Sequence, residues 1–395
     1  MSLRIGVYGM FGIDNIGNDA TLAAFLEGLE EYLPDATVVV VSPNPSRTTH
    51  EVGVPAIPVG ESQRTGPSAT RASVQILLAG WAYGTAAWSG ARHFDALVIC
   101  GTGVLESTTP KTALRLLAWT GASSLRRRPV LWLNVGVDSI SNPRARSIAR
   151  TCARLTTYKS LRDPLSLRSA ERQGLPVENS RVFPDLVYAR KTDGSPPQRH
   201  GPRQVVISPV SSGRYGWATS DTDRRDTLER NTSILAQFAN HLLTRDLTVK
   251  VVSANPRDDP AVESLLGAIK RTDEGSAGSL LVDRVLTMEG LLQSLSGSHA
   301  IVASRYHTLI AAHLLATPVI SLGYSAKFEE AQRMFGLGGF SQPLEQLELT
   351  PLLEQFAELD SNRDALAERM VRALDHVRDQ VSRGWVSASN ALRDL

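Results

Sequence analysis

The stretch HAIVASRYHTLIAAHLLATPVISLGYSAK, residues 299–327, decides the fold class of this chain. It begins with an apolar run that is typical of a buried strand and continues into an apolar segment of helical spacing. A second strand follows, starting after Pro318. A strand, a helix and a strand in this order predict a βαβ unit, whose two strands are parallel. The stretch therefore predicts a parallel sheet covered by helices.

Three side chains that can carry positive charge are attached to this unit. Arg305 and His307 follow the first strand, and Lys327 comes just after the second. In an extended segment residues i and i+2 point the same way, so we expect Arg305 and His307 to converge on one spot. Lys327 is expected to reach it from the next strand end, where ligands of open α/β sheets bind. The three groups predict a site for a small, highly charged anion, whereas His313 inside the helix is expected to serve packing.

Two α/β series of this kind occur along the chain. RIGVYGM (4–10) and TVVVVS (37–42) open the first, and QVVISPV (204–210) opens the second. The segment KTDGSPPQRHGPR (191–203) is polar, rich in Pro and Gly, and typical of a linker. The sequence predicts an N-terminal α/β domain at 1–190, the linker at 191–203, a second α/β domain at 204–349 and helices at 350–395, with packing of these helices on the first domain as one option.

The composition of the 395-residue chain excludes several classes of protein. Charged residues make up 21% and hydrophobic residues 42%, which is typical of a globular protein. A chain of this length is too long for one hydrophobic core, so two domains are expected. A net charge of +2 is too balanced for a nucleic-acid-binding surface. Cys100 and Cys152 lack the spacing of a metal site and fit the reduced thiols of a cytoplasmic protein. MSLRIGVYGM runs straight into a strand, so no signal peptide is expected.

An uncharged segment at 72–91 raises the question of membrane contact. It is rich in Gly, Ala, Ser and Thr and only weakly apolar, which favours a mostly buried helix. The alternative is a membrane-facing helix, with Trp81, Tyr83 and Trp88 at the level of the lipid headgroups. The basic run Arg126–Arg128 would then lie nearby. A peripheral contact with a membrane therefore stays open as the less favoured option.

The two doubly wound domains are expected to face a cleft, with chemistry in the loops that follow the strands. The first such loop, GMFGIDNIGNDA (9–20), leads into a helix N-terminus. Asp14 and Asp19 are its candidate general bases, although a carboxylate in a first helical turn also stabilises the helix. Asn15 and Asn18 either contact substrate or cap the helix.

Other strand-end loops supply weaker candidates, each with a structural alternative. Gly101 and Gly103 either present backbone amides to a ligand or form a tight turn. Arg162 either grips a carboxylate or pairs with the neighbouring Asp163. The remaining candidates are Asp138, at the end of the strand 129–136, and Ser208 and Arg214, in a Ser/Gly loop that either cradles a phosphate or is an ordinary loop.

Taken in order, these loops resemble the polysaccharide pyruvyl transferase family. The matching stretches run through most of the chain: GIDNIGND, VICGTGVLE, NVGVD, SLRDPLS, VFPDLVY and, most specifically, SRYHTLIAAHLLATPVISLGYSAK. The last resembles the family's R-x-H helix, followed by a Pro-led strand and a Lys. Two departures stand out. Thr102 occupies a place where the family often has a Gly-Gly-Gly run, and Asn18 stands where an Asp is common, which shifts the expected base to Asp19 or Asp14.

The resemblance implies an architecture like that of glycosyltransferase-B enzymes and a transfer of the pyruvyl group of phosphoenolpyruvate to a saccharide. The product is a ketal on a cell-surface glycan, such as an exopolysaccharide or cell-wall polymer, or on its precursor. Arg305, His307 and Lys327 become candidates for binding the phosphate, and Arg162 for the carboxylate. His307 is also the candidate general acid. Phosphoenolpyruvate is the donor substrate, so neither a cofactor nor a metal is expected, and the saccharide acceptor is free or lipid-linked.

Two rival functions remain. Nucleotide-sugar glycosyltransferases of the same architecture commonly carry a Glu in the helix before the Pro-led strand, and the equivalent place here, near Ala311, has no carboxylate. The second rival is a non-catalytic saccharide-binding relative with a retained fold. The intact cations Arg305, His307 and Lys327 argue against it. Neither the acceptor sugar nor the oligomeric state can be read from the sequence.

Overall fold

The computed structural model describes residues 2–60, 72–101, 105, 109–191, 203–211, 221–272 and 280–394. The chain divides into two compact units. The first consists of Met1–Ala189 together with Asp379–Leu395, and the second of Arg190–Arg378. Most of the expected linker at 191–203 lies outside the described residues.

The first unit is built on a parallel sheet. Within its described residues, the strands are β1 (Arg4–Tyr8), β2 (Thr37–Ser42), β3 (Ala56–Pro58), β4 (Ala96–Cys100), β5 (Val130–Val135), β6 (Tyr158–Leu161) and β7 (Arg181–Val182), in the spatial order β3-β2-β1-β4-β5-β6-β7. The helices are α1 (Ile16–Tyr32), α2 (Pro45–Val52), α3 (Ala72–Gly90), α4 (Pro110–Leu125), α5 (Pro143–Leu155) and α6 (Pro164–Arg172). Every residue of β4 and β5 is buried, as expected for central strands covered on both faces.

The second unit repeats this design. Its described strands are β8 (Gln204–Ser208), β9 (Thr248–Ser253), β10 (Leu280–Arg284), β11 (Ala300–Ala303), β12 (Val319–Gly323) and β13 (Ser341–Pro343), all parallel, in the order β10-β9-β8-β11-β12-β13. The helices are α7 (Asp221–Leu243), α8 (Asp259–Thr272), α9 (Met288–Leu295), α10 (Tyr306–Leu314), α11 (Ala326–Met334), α12 (Leu349–Ser361) and α13 (Arg363–Arg393). The last part of α13, from Asp379, belongs to the first unit.

The βαβ unit predicted for residues 299–327 is present as β11, α10 and β12. The two strands pair in parallel, with Ile301 opposite Val319. The helix between them is almost wholly buried, which explains its lack of Asp, Glu, Lys and Arg. His313 is fully buried in this helix, forms a 3.0 Å hydrogen bond with Gln332 and stacks on Phe335. Burial lowers the pKa of His313 to about 3, so this side chain is neutral and serves packing, as the sequence predicts.

Each sheet has one point at which the strand order reverses. In the first sheet it lies between β1 and β4, and in the second between β8 and β11. Ligands of doubly wound sheets bind beyond the carboxyl ends of the strands at such a point. The loops that follow these four strands are therefore the places where the fold positions a site.

Some elements differ from the sequence-based expectation. The apolar stretch RVFPDLVY (181–188) is typical of one strand, but β7 covers only Arg181–Val182, and a 3₁₀ helix follows at Leu186–Ala189. Pro184 interrupts the strand because it has no N–H to donate, and the Asp185 carboxylate accepts a hydrogen bond from Val187 N that starts the turn. Among the helices of the described residues, none is long and apolar enough to cross a membrane.

Candidate active site

The predicted cations of the second unit lie at the carboxyl ends of β11 and β12. Arg305 is the N-cap residue of α10, with extended backbone angles of φ −107° and ψ 135°. The helix begins at Tyr306, so His307 belongs to its first turn and not to an extended segment. The expectation that Arg305 and His307 converge through strand-like alternation is therefore wrong. Lys327 lies in the first turn of α11, which begins three residues after β12 ends.

Tyr306 is the shared neighbour of the cationic side chains. Its ring is buried and meets the His307 ring edge to face, with the centroids 5.7 Å apart. The Lys327 Nζ atom lies 5.1 Å from the centroid of the Tyr306 ring and 6.0 Å from that of Tyr324. An ammonium group at this distance from an aromatic face is attracted by it. His307 and Lys327 thus both lie against the buried Tyr306 ring, next to Arg305, although the rest of α10 and the strand β12 separate them in sequence.

Arg305 is held by a buried carboxylate that the sequence analysis missed. Its Nε and Nη2 atoms donate to the two Asp258 carboxylate oxygens at 2.5 and 2.6 Å. Asp258 has no exposed surface, whereas the Arg305 side chain is 22% exposed. The same carboxylate accepts a 2.9 Å hydrogen bond from Ser211 N, in the loop after β8. Asp258 therefore fixes both the guanidinium plane and the loop at the point where the strand order reverses.

A pocket of about 400 Å³ opens beside this cluster. Tyr324, Ser325 and Phe328 line it on the side of β12 and α11. Glu329 and Glu345 are also among its lining residues. Tyr324 belongs both to this pocket and to the surroundings of Lys327. The pocket has the size of a small-molecule site with aromatic and polar walls.

In the first unit, the loop between β1 and α1 is fixed by its own side chains. Asn15 is the N-cap of α1 and accepts a hydrogen bond from Gly17 N. The Asn18 side chain is buried and donates to Met10 O at 2.8 Å. Asp14 is exposed, adopts φ +57° and pairs with Arg47. The two asparagines thus do structural work, while the Asp14 carboxylate is engaged by an arginine.

Asp19 has the environment expected of a general base. It lies in the first turn of α1 and accepts a 2.8 Å hydrogen bond from Gly12 N. Partial burial raises the pKa of Asp19 to about 6, although the Gly12 hydrogen bond opposes the change. Gly12 adopts φ +69°, and a Cβ atom there would lie 2.8 Å from the Thr48 hydroxyl, so the loop requires glycine. A carboxylate with a pKa near 6 is ionised at neutral pH and still basic enough to accept a proton.

Arg162 adopts the local pairing that the sequence left open as its alternative. Its side chain is almost fully buried, and its Nε atom donates to Asp163 at 2.9 Å. Burial acts to raise the pKa of Asp163, but the Arg162 charge and hydrogen bonds from Arg162 and Ser166 N outweigh it and hold that pKa below its ordinary value. Asp163 also caps α6 through Ser166 N. The role of Arg162 in binding a carboxylate stays a prediction.

The remaining candidates occupy strand ends. Gly101, directly after β4, adopts φ +101°, a conformation that favours glycine. The Asp138 backbone carbonyl accepts a hydrogen bond from Gln173, and its N–H donates to Leu105 O. Ser208 ends β8 as a fully buried residue whose carbonyl accepts the Ser304 N–H at 3.0 Å. Gly103 and Arg214 lie outside the described residues.

The family of the chain follows from a comparison with protein-family models. The model described as polysaccharide pyruvyl transferase matches residues 15–326, more than three quarters of the sequence. This chain belongs to the polysaccharide pyruvyl transferase family. It is therefore a transferase. The match includes Asp19, Arg305 and His307, and it ends one residue before Lys327. Among curated proteins, no sequence matches this chain.

Solved structures place the fold in a wider group. The UDP-GlcNAc 2-epimerase from Neisseria meningitidis superposes with a TM-score of 0.63 at 11% identity, over 97% of this chain and 98% of the epimerase. A glycosyltransferase from Rickettsia africae gives 0.60 at 12% identity, over 99% and 98%. The lipopolysaccharide outer core galactosyltransferase WaaB gives 0.57 at 11%, over 98% and 100%. These likenesses show a glycosyltransferase-B-like fold of two parallel-sheet α/β domains, as the sequence predicted.

Proposed function

We propose that this pyruvyl transferase moves the pyruvyl group of phosphoenolpyruvate onto two hydroxyls of a saccharide, forming a ketal and releasing phosphate. The observation that supports it is the group of Arg305, His307 and Lys327 around Tyr306, beyond the carboxyl ends of β11 and β12. Phosphoenolpyruvate carries a phosphate and a carboxylate, and binding both in one place requires several cations. Family membership makes a saccharide the natural acceptor.

The reaction can be written with these residues in defined roles. His307 donates a proton to the methylene carbon of phosphoenolpyruvate, which makes C2 electrophilic. A sugar hydroxyl attacks C2 and loses its proton to Asp19, and the C2–O bond to the phosphate then breaks. Arg305 and Lys327 stabilise the charge on the departing phosphate. A second hydroxyl of the same sugar then attacks C2 and gives its proton to His307, which closes the ketal and restores the acid, while the proton on Asp19 leaves with the phosphate or to solvent.

Transfer from a nucleotide sugar is less well supported. In such glycosyltransferases a Glu on the helix equivalent to α10 commonly holds the ribose. Here the helix offers Ala311, which is fully buried, and no carboxylate in any of its residues from Tyr306 to Leu314. A helix of this composition gives a ribose no carboxylate to accept hydrogen bonds from its hydroxyl groups.

Phosphate release separates the candidate functions. The protein is incubated with phosphoenolpyruvate and a panel of methyl hexopyranosides, and free phosphate is measured together with the mass of each glycoside. We expect phosphate release that depends on one glycoside, which gains the mass of pyruvate less water. UDP-GlcNAc in place of phosphoenolpyruvate is the control donor. Thermal stabilisation by UDP-GlcNAc, with none by phosphoenolpyruvate, would contradict the proposal.

Asp19→Asn tests the base. If Asp19 accepts the hydroxyl proton, kcat/KM of the native protein rises as the pH passes about 6, and the variant loses this rise together with about a hundredfold of rate at neutral pH. The variant should also be more stable at neutral pH. The folded-state pKa of Asp19 lies above its value of 3.8 in the unfolded chain, so stability falls as the pH rises from 4 through 6.

The expected gain in the Asp19→Asn variant is about 1 kcal/mol, after allowance for solvent screening of a partly exposed group. Asp14→Asn is the matched control on the same loop, because its carboxylate is exposed and pairs with Arg47. Initial rates from pH 5 to 8 and urea denaturation at the same pH values supply both readouts. A rate loss confined to Asp14→Asn would move the base to Asp14.

A further inference from the structure

The outer face of α3 carries large apolar side chains that the proposed function does not use. Trp81 is 76% exposed and Trp88 is 51% exposed. They lie seven residues apart, two turns of the helix, and therefore on the same face. The opposite face, with Tyr83 and Ala87, is fully buried against the core of the first unit. The helix thus has one exposed and one buried face, although none of its residues is charged.

The end of α4 extends this face with cations. Leu125, the last residue of α4, is 78% exposed. The Arg126 guanidinium carbon lies 4.0 Å from the centroid of a Trp88 ring, so the two helices meet here through a cation–π contact. Arg127 follows, exposed and with φ +56°. Two indoles, a leucine and two arginines form one surface, called the α3–α4 face.

The charged residues in and next to α3 and α4 along the sequence are of one sign. Residues 62–94 and 107–137, which contain both helices, include no Asp or Glu. The nearest carboxylate in sequence, Asp95, is neutralised by hydrogen bonds from Arg4 and Arg128. The hydrogen bond from the Arg4 side chain holds the pKa of Asp95 below its ordinary value, and the opposing effect of burial is smaller. The face therefore presents positive charge beside exposed indoles.

We propose that the α3–α4 face docks the protein on an anionic lipid bilayer. Tryptophan prefers the boundary between headgroups and acyl chains, because its ring is apolar and its N–H finds water or phosphate. Arginines beside it are attracted to anionic lipid headgroups. A second copy of the chain fits this surface poorly, since two such faces would bring Arg126 and Arg127 against their own equivalents. Among the described residues, no carboxylate pairs with Arg126 or Arg127, and the combination of exposed indoles with these arginines fits a membrane surface better than any other occupant.

Vesicle co-sedimentation tests this proposal. The full-length protein is mixed with vesicles of phosphatidylcholine alone or of phosphatidylcholine and phosphatidylglycerol in equal parts. We expect retention on the anionic vesicles, and its loss on raising the salt concentration. Trp81→Ser/Trp88→Ser and Arg126→Glu/Arg127→Glu should each lower the partition coefficient by more than tenfold, given roughly fivefold per surface arginine. Tryptophan emission of the native protein should shift to the blue on binding, and this shift should vanish in the Trp81→Ser/Trp88→Ser variant.

A matched variant controls for loss of exposed apolar and basic groups in general. Leu286→Ser/Arg372→Glu removes a 57% exposed leucine and an exposed arginine of the second unit. It should bind anionic vesicles like the native protein. Because Trp81, Trp88 and Arg127 are exposed and Arg126 is half-buried, circular dichroism should stay unchanged and the melting temperature should change little. The proposal would be overturned by equal retention on neutral and anionic vesicles, or by no retention on either. It would also be overturned if the α3–α4 variants bound anionic vesicles like the native protein, or if the protein were a dimer that only Trp81→Ser/Trp88→Ser dissociates.

Discussion

Arg305→Ala is expected to lower kcat/KM for phosphoenolpyruvate by about a hundred- to a thousandfold, the cost of removing one group that stabilises charge in a transition state. The guanidinium group is a planar donor that Asp258 holds in place through two hydrogen bonds. A ligand phosphate would therefore meet a preorganised donor and not a mobile side chain. Initial rates of phosphate release over a range of phosphoenolpyruvate concentrations measure the effect.

Arg305→Ala is also expected to lower the stability of the protein, and this loss has to be distinguished from the loss of activity. Without Arg305, the fully buried Asp258 carboxylate loses its cationic partner, which destabilises the fold. Arg305→Ala/Asp258→Asn removes that unpaired charge, so it should regain stability without regaining activity. Arg284→Ala, which removes a half-exposed arginine paired with Glu263, is the control and should stay within about twofold of the native rate. A folded Arg305→Ala variant that keeps more than a tenth of the native kcat/KM would show that Arg305 does not bind the donor.

The sequence predicted the second unit's βαβ core because its signals are local. A run of apolar residues, helical spacing and a proline before the next strand lie within residues 299–327, and each indicates one element by itself. The short edge strands β3 and β13 were missed, since three residues such as Ser341–Pro343 carry no pattern. The extended conformation expected for Arg305 to His307 was wrong because α10 already begins at Tyr306, and Arg305 makes no side-chain capping bond that the local sequence could have indicated.

The sequence indicated the positively charged residues of the candidate site, but not the residues that hold them in place. Arg305, His307 and Lys327 follow strands, which local sequence shows. Asp258 reaches Arg305 across 47 residues of sequence, and this pairing exists only because β8 lies between β9 and β11 in the sheet. The signal available was the run SANPRDDP (253–260), with two carboxylates directly after a strand. The pKa of Asp19 likewise depends on burial, which a first-turn position does not reveal.

Asp258→Ala is expected to lower the free energy of unfolding of the protein by about 3–5 kcal/mol, because it leaves a partly buried guanidinium group without its carboxylate. Ser211 N also loses its acceptor, which adds an unsatisfied donor in the loop after β8. Asp258→Asn keeps one oxygen for this loop and should cost less. Urea denaturation, compared at equal m-values, gives the differences.

The neighbouring Asp259→Ala variant provides a matched control, since Asp259 is a partly exposed carboxylate that bonds to Ser253 and lies 3.7 Å from Arg284. It should cost less than about 1 kcal/mol. If Asp258 also positions Arg305 for the donor, Asp258→Asn raises KM for phosphoenolpyruvate more than it lowers kcat, an effect that a purely structural carboxylate would not produce. A double-mutant cycle with Arg305→Ala isolates the pair, and a coupling energy near zero would mean that the two side chains act independently.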